Sequence, residues 1–420
     1  MVTDTTVRTR RQTVLLAVTV VFTIVMFFPA VPPSVPGKLK VAGLILLGVW
    51  LVAIWRRPGC RLLWREHPVI GAGSVGLAVW TAASALWAVD RSTALGAASR
   101  MAAGILLMVI VYTVASDRGA SRVLGLAYAL GAVLSIAYGV ILRPGPPIPG
   151  AVFDPTRLYG GMGEPNDLAA VLLPAVAITV FAIPRVRTLL QRVAMTVLAC
   201  ALLAGVALAQ SRGAFVAAAV MLVAGIASAG RYRMRLAAAA GAVVVLSVGY
   251  VVLFAPQAVH RRLNSLLRAD VYGGVADGSG RRELWEQAIA LFPAHPLTGV
   301  GAHNYRSVTG EALVVHNTYL EILVELGLVG LVLFSIVLGG VVVRAGRRIR
   351  RSPDGWTATL PARGAVVGLV GLLTAFVFIS GEFTHQLWWL LGYALACAAP
   401  VTERGPDRHR ERTGLAILKP

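Results

Sequence analysis

Along most of this chain, apolar residues come in unbroken runs, not in the alternating or three-to-four spacing of elements with one wet face. Runs near 13–30, 39–55, 69–88, 101–115, 121–142, 168–183, 188–209, 213–229, 236–254, 319–343, 364–380 and 385–400 each approach the ~20 residues that carry a helix across a bilayer. The pattern predicts an all-α chain: a polytopic transmembrane helical bundle of about twelve spans, with 1–420 as a single integral membrane domain. The first run, "TVLLAVTVVFTIVMFF", follows Arg8, Arg10 and Arg11 as in a signal peptide. No small-residue cleavage site comes after it, so it is expected to remain as the first span.

Two polar interruptions stand out. Residues 143–167, "RPGPPIPGAVFDPTRLYGGMGEPND", are rich in Gly and Pro. Residues 255–318, between the ninth and tenth spans, form a loop long enough to hold structure of its own. Within it "RRELWEQAIALF" predicts a short amphipathic helix with Leu284, Ala288, Ile289 and Phe292 on one stripe.

Composition agrees with a membrane protein: 57% of residues are hydrophobic and 14% charged. The net charge of +20 raises the question of nucleic acid, but that footprint is a basic face on a soluble fold. Here the basic residues sit in short segments between apolar runs, so no nucleic-acid partner is expected. "WRRPGCRLLWREH", "PRVR", "GRYRMR", "RAGRRIRRSPDGW" and "ERGPDRHRER" share one side if the N-terminus is cytoplasmic. About twenty-six Lys and Arg then fall inside and about thirteen outside, which predicts a multi-pass protein of the cytoplasmic (inner) membrane with both termini cytoplasmic and 255–318 extracytoplasmic. Cys60, Cys200 and Cys397 are far apart and show neither a CxxC nor a zinc spacing.

The tenth span opens with unusual chemistry, "HNTYLEILVELGLVGLVLF". Thr318 and Glu321 fit a capping box, which predicts Thr318 as N-cap and His316 just outside the helix, at the outer membrane surface. A helix start disfavours a protonated imidazole, and a neutral one can accept a proton. Glu321 and Glu325 share a face, with Glu325 about 10 Å below the cap. A carboxylate at that depth calls for a partner, a watery cleft or a route up to headgroup water. Gly327 and Gly330 read as a surface for close helix packing.

Other residues fall on the same predicted face. Arg212, in "AQSRGAF", occupies a tight outer turn, where it either snorkels or binds an anion through its planar fork. Arg281 and Arg282 begin the loop helix, a site suited to anions. Glu164, Asn166 and Asp167 precede the sixth span, where Asn166 or Asp167 is expected to cap the helix. In "SGEFTHQLWW", Glu382 and His385 read as interface anchors beside Trp388 and Trp389. Two arginines and a histidine at one membrane surface suit a lipid diphosphate donor: the guanidiniums bind and stabilise the leaving diphosphate, and the histidine takes a proton from an attacking hydroxyl. His260, His295, His303, His316 and His385 all fall outside, but none forms an HExxH or a paired ligand spacing, so neither a metal nor another cofactor is expected.

These motifs resemble the O-antigen ligase and polymerase superfamily of bacterial membrane glycosyltransferases. Its ligases carry a histidine, then Asn, Ser or Gln, nine residues and Gly-x-x-Gly; His316-Asn317, nine residues and Gly327-Leu-Val-Gly330 match, with Leu331 where threonine is common. Arg281 four before Trp285 fits the family's arginine in the loop helix. "QSRGAF" resembles its Ser-Arg-Gly turn, "PLTGVGAHNY" its Gly-x-Gly segment, and "GEPNDLA" its Asn-Pro-Asn turn with Glu164 for the first asparagine. The resemblance implies a glycan donor on undecaprenyl diphosphate and metal-independent transfer with inversion at the anomeric carbon. It implies that Arg212 and Arg281 hold the diphosphate and that His316 is the general base. Arg282, Glu325, Glu321, Asn166 and Glu164 are secondary candidates. The acceptor hydroxyl, on a glycan, glycolipid or protein, is left open. The competing class is a twelve-span transporter, which usually binds its substrate near the midplane through broken helices or buried charges.

Overall fold

A computed structural model describes residues 10–30, 37–55, 63–117, 119–142, 154–230, 233–234, 237–238, 281–311, 313–351 and 355–399. Most of these residues are helical, and none of them forms a strand. In chain order the helices are α1 (Arg10–Val25), α2 (Lys38–Trp55), α3 (Leu63–Glu66), α4 (Pro68–Ala83), α5 (Arg91–Ala115), α6 (Ala120–Leu142), α7 (Pro165–Ala182), α8 (Leu189–Ala209), α9 (Arg212–Ser228), α10 (Arg281–Leu291), α11 (Tyr305–Thr309), α12 (Thr318–Arg351), α13 (Gly355–Ala358), α14 (Leu360–Ala375) and α15 (His385–Ala398). Seven are long and apolar enough to cross a membrane, while α1, α9 and α14 are apolar but shorter. The chain is thus a polytopic helical bundle. Every expected span except 236–254 coincides with a described helix; that one lies almost wholly outside the described residues, as does 255–280.

Several boundaries differ from the pattern. α5 starts at Arg91, ten residues before the expected span. Its opening turns, "RSTALGAASR", are too polar to read as lipid-facing, yet Asp90 caps them by accepting a hydrogen bond from Thr93 N at 3.0 Å. α12 continues to Arg351 because its basic end is still good helix former. α14 stops at Ala375, and 376–384 turn back across the end of the bundle instead of extending the span.

The core is built from α7, α14, α15 and α5, with α7 against α8 and α14, and α15 against α5. Small residues permit this closeness. A Cβ on Gly104 of α5 would lie 2.4 Å from Trp388, and one on Gly392 of α15 would lie 2.2 Å from the Met108 carbonyl oxygen. Trp388 and Trp389 are therefore core residues, both fully buried, and Glu382, expected beside them as an interface anchor, is buried too. Their indole N–H groups donate to the Glu382 carbonyl at 2.9 Å and to the Thr23 hydroxyl at 2.9 Å, which removes any need for headgroup water.

Candidate active site

One end of the bundle gathers the turns 84–90, 154–164, 209–212, 281–317 and 376–384. The joints are specific. Ala302 N donates to the Ser84 hydroxyl at 3.0 Å, and Asp90 N to Asn304 Oδ1 at 2.7 Å. Leu158 N donates to the Leu208 carbonyl at 3.0 Å, and Thr318 N to the Phe376 and Ile379 carbonyls at 2.9 and 3.0 Å.

The opening of α12 differs from the expected capping box. Asn317 is the cap: its Oδ1 accepts from Tyr319 N and Leu320 N, both at 3.1 Å. The Thr318 hydroxyl is taken elsewhere, donating to the Ile379 carbonyl at 2.7 Å and accepting from Gly381 N at 2.8 Å. Glu321, expected to close the box, accepts instead from the Ser380 hydroxyl. Three turns in, α12 breaks. Gly327 has φ +67° and ψ −171°, a conformation open to glycine. A Cβ there would lie 2.1 Å from the Leu297 carbonyl oxygen, so Gly327 admits loop backbone and not the neighbouring helix expected of it. The carbonyls freed by the break are satisfied: Val324 O by Val300 N, Glu325 O by Gly301 N, both at 2.9 Å, and Leu326 O by Trp80 Nε1 at 2.8 Å. Glu325 does not reach for headgroup water. It is buried, accepting from His303 N at 2.6 Å and Tyr305 N at 3.2 Å.

His316 precedes the cap with φ 54°, one of three non-glycine residues with positive φ among those described; the others are Gln210 and His303. Such strain costs on the order of 1–3 kcal/mol and tends to sit where function demands it. Burial, and then the positive charge of Arg281, push the His316 imidazole down to about 4. It is neutral at pH 7 and able to take a proton.

Arg281 opens α10, whose buried face is Leu284 and Ala288 with Trp285 and Leu291 beside them. Ile289 points outward at 59% exposure, so the expected stripe is turned by part of a helical step. The displacement follows from Trp285, whose indole N–H is drawn to the Val315 carbonyl at 3.0 Å, one residue before His316. Burial, then the field of Arg212, hold the Arg281 guanidinium below its ordinary value, with Arg157 acting in the same sense and Glu164 against. Arg212 sits at the start of α9, after the Ser211 cap. Around Arg281, two guanidiniums therefore accompany one carboxylate. Arg282 faces solvent and pairs with Glu286 at 2.8 Å, outside this group.

Arg157 did not register in the sequence, where it looked like one more residue of a Gly/Pro-rich loop. Its Nε donates to the Ala209 carbonyl at 3.1 Å and its Nη2 to Asn166 Oδ1 at 3.0 Å. Asn166 Nδ2 in turn donates to Glu164 Oε1 at 2.8 Å. The cap of α7 is Glu164, accepting from Asp167 N at 2.9 Å, and not Asn166 or Asp167. These bonds tie the turn before Arg212 to the start of α7.

A second group adjoins the break. His303, Glu321 and Glu325 offer ligand atoms within 4.8 Å of one another, a cluster that sequence spacing could not reveal because the loop brings His303 back to the helix. Glu382 is also buried, and burial pushes its carboxyl up to about 7. Two surface cavities, of about 310 and 390 Å³, lie among α6, α7, α8 and α15 and against α1, away from both groups.

Residues 195–335 match the family model described as O-antigen ligase. No curated protein matches the chain.

Proposed function

We propose, starting from this chain's place in the O-antigen ligase superfamily of membrane glycosyltransferases, that it moves a glycan from undecaprenyl diphosphate to an acceptor hydroxyl at the outer face of the cytoplasmic membrane. Arg212 and Arg281 hold the diphosphate. His316 takes the proton of the acceptor hydroxyl, whose oxygen attacks the anomeric carbon on the face opposite the leaving group. The bond from that carbon to the diphosphate oxygen breaks with inversion, and the diphosphate leaves with the electron pair. Positive charge at the leaving group comes from guanidinium, so the transfer step needs no metal or other cofactor. The acceptor belongs to a glycan, a glycolipid or a protein. In this reading the bundle has twelve spans, both termini are cytoplasmic, and 255–318 is the extracytoplasmic loop.

The observation that carries the proposal is the convergence of a neutral, half-buried His316 with Arg281 and Arg212 at one end of the bundle. The experiment is incubation of purified full-length protein with a lipid diphosphate-linked glycan and candidate hydroxyl acceptors, with products weighed by mass spectrometry. Wild type yields the glycosylated acceptor and free lipid diphosphate, with EDTA present and below the melting temperature. His316→Ala loses roughly 10²–10⁴-fold. Full transfer by His316→Ala removes the general-base role, and activity abolished by EDTA in still-folded protein removes the metal-free step.

A further inference from the structure

A buried carboxylate is costly unless it is paired, protonated or bound to a metal. Beside the break in α12 three are buried together: Glu321 at 1%, Glu325 at 4% and Glu382 at 4% exposure. Glu382 interacts electrostatically with both of the others. The cation whose field reaches Glu325 and Glu382 is Arg100, which lies 4.9 Å from the Phe383 ring centroid. Arg306 adds its field at His303, as Arg100 does, so the three carboxylates, when ionised, exceed these two charges by one. Glu325 accepts two backbone N–H groups and Glu321 accepts a hydroxyl, yet each carboxylate oxygen keeps a further lone pair.

Two independent features point to a ligand. Glu382 Oε2 is buried and has no hydrogen-bond partner. His303 Nδ1 is likewise buried and unpartnered, and this imidazole shares with Glu321 and Glu325 a cluster of ligand atoms within 4.8 Å of one another. One imidazole nitrogen with carboxylate oxygens suits a first-row divalent ion better than Ca²⁺ or Mg²⁺, which favour all-oxygen shells. Bonds of about 2.0–2.2 Å would draw the donor atoms closer than their present spread, a modest side-chain adjustment.

We propose that His303, Glu321 and Glu325 bind one divalent cation of the zinc or manganese kind. The ion balances the excess charge, that of neighbouring Glu382 included, and clamps the 296–305 loop to the broken helix α12. None of the three belongs to the His316–Arg281–Arg212 group, so the ion stabilises the fold that carries the site and takes no part in the transfer step. The inference therefore does not depend on what the protein transfers.

The test uses the full-length chain in detergent, with any affinity tag removed, stripped with EDTA and then reloaded with Zn²⁺ or with Mn²⁺ alone. Elemental mass spectrometry after desalting should find one equivalent per chain, and the melting temperature should rise by several degrees with the ion. Glu382→Gln, which removes a neighbouring negative charge, should weaken ion binding and the temperature rise, and His303→Asn should lose both. Both are chosen to leave the metal-free fold intact. The first changes an oxygen that bonds to nothing, and asparagine tolerates the left-handed φ of 56° at 303. Less than about a tenth of an equivalent on wild type overturns the proposal, as does a melting temperature indifferent to the ion. Undiminished uptake by both variants overturns it too. A metal-free wild type that Glu382→Gln simply stabilises would mean that protons, not a cation, settle the charge.

Discussion

His316, the proposed general base, is neutral at pH 7, held in one strained backbone conformation and within the field of the Arg281 cation. The cation has a consequence for pH. Because burial and Arg281 push the imidazole down to about 4, the base proposed here stays unprotonated in the free protein until the pH falls that far. The acid limb of kcat/KM should lie near 4, not near the ~6.5 of a solvated histidine. Once an anionic diphosphate sits on Arg281, its charge offsets the guanidinium, so the limb of kcat should lie at higher pH than that of kcat/KM. Coincident limbs near the solvated value would show that Arg281 does not act on the base. Arg281→Lys keeps a charge but loses the planar fork. Transfer should drop about 10- to 150-fold, the equivalent of one charge-assisted hydrogen bond at about 1.5–3 kcal/mol, and a wild-type rate would leave simple charge as the explanation. At this scale the sequence was readable where a residue's place depends on local pattern, as for Arg281 at the start of α10 and His316 just before α12. It was unreadable where tertiary partners compete for a side chain. Thr318 matched the cap pattern but is claimed by the 376–384 turn, leaving the cap to Asn317. His303 and Arg157 carried no local signal because their partners are distant in the chain.

The element that organises the site is the break in α12. Gly327 there is conformationally obligatory, and a side chain would strike the Leu297 carbonyl. Gly327→Ala should cost at least the ~1–3 kcal/mol of a strained φ, with the steric clash added, and be seen as a markedly lower melting temperature or loss of monodisperse protein. Gly339 of the same helix has nothing within 4 Å of an added Cβ. Gly339→Ala should melt at or above wild type, since alanine is the better helix former by roughly 0.5–1 kcal/mol. Equal behaviour of the two variants would show that the break is not needed. A broken helix is also a transporter's device, where unwound carbonyls coordinate the cargo. Here those carbonyls are already taken by Val300 N, Gly301 N and Trp80 Nε1, so the break serves to anchor a loop. Unbroken apolar runs announced most of the helices, since length and hydropathy are local properties. Their partners were not legible: α15 opens with the tryptophans beside which Glu382 and His385 looked like interface anchors, and only packing against Gly104 and Thr23 makes those tryptophans core. Nor did the apolar stripe of α10 reveal its register, which Trp285 sets through a carbonyl thirty residues away.

At the scale of the molecule, charge along the chain and contacts between distant turns group the same residues. The asymmetry of Lys and Arg along the chain assigns Arg212, Arg281 and His316 to one side of the membrane. Hydrogen bonds between distant turns independently gather 84–90, 154–164, 209–212, 281–317 and 376–384 at one end of the bundle. The far end of α12 carries Arg344, Arg347, Arg348, Arg350 and Arg351, and the proposed orientation puts it in the cytoplasm. The orientation can be checked with single cysteines in a background lacking Cys60, Cys200 and Cys397. Arg282 is exposed at the proposed outer end and outside the Arg212–Arg281–His316 group, and Arg347 is exposed at the other end. In intact cells a membrane-impermeant maleimide should label Arg282→Cys directly and Arg347→Cys only after the membrane is opened. The reverse order would put the histidine and its arginines in the cytoplasm. A glycan carried to the outer leaflet could not reach them there, and the extracytoplasmic transfer proposed for this chain would fail whatever the local geometry of the site.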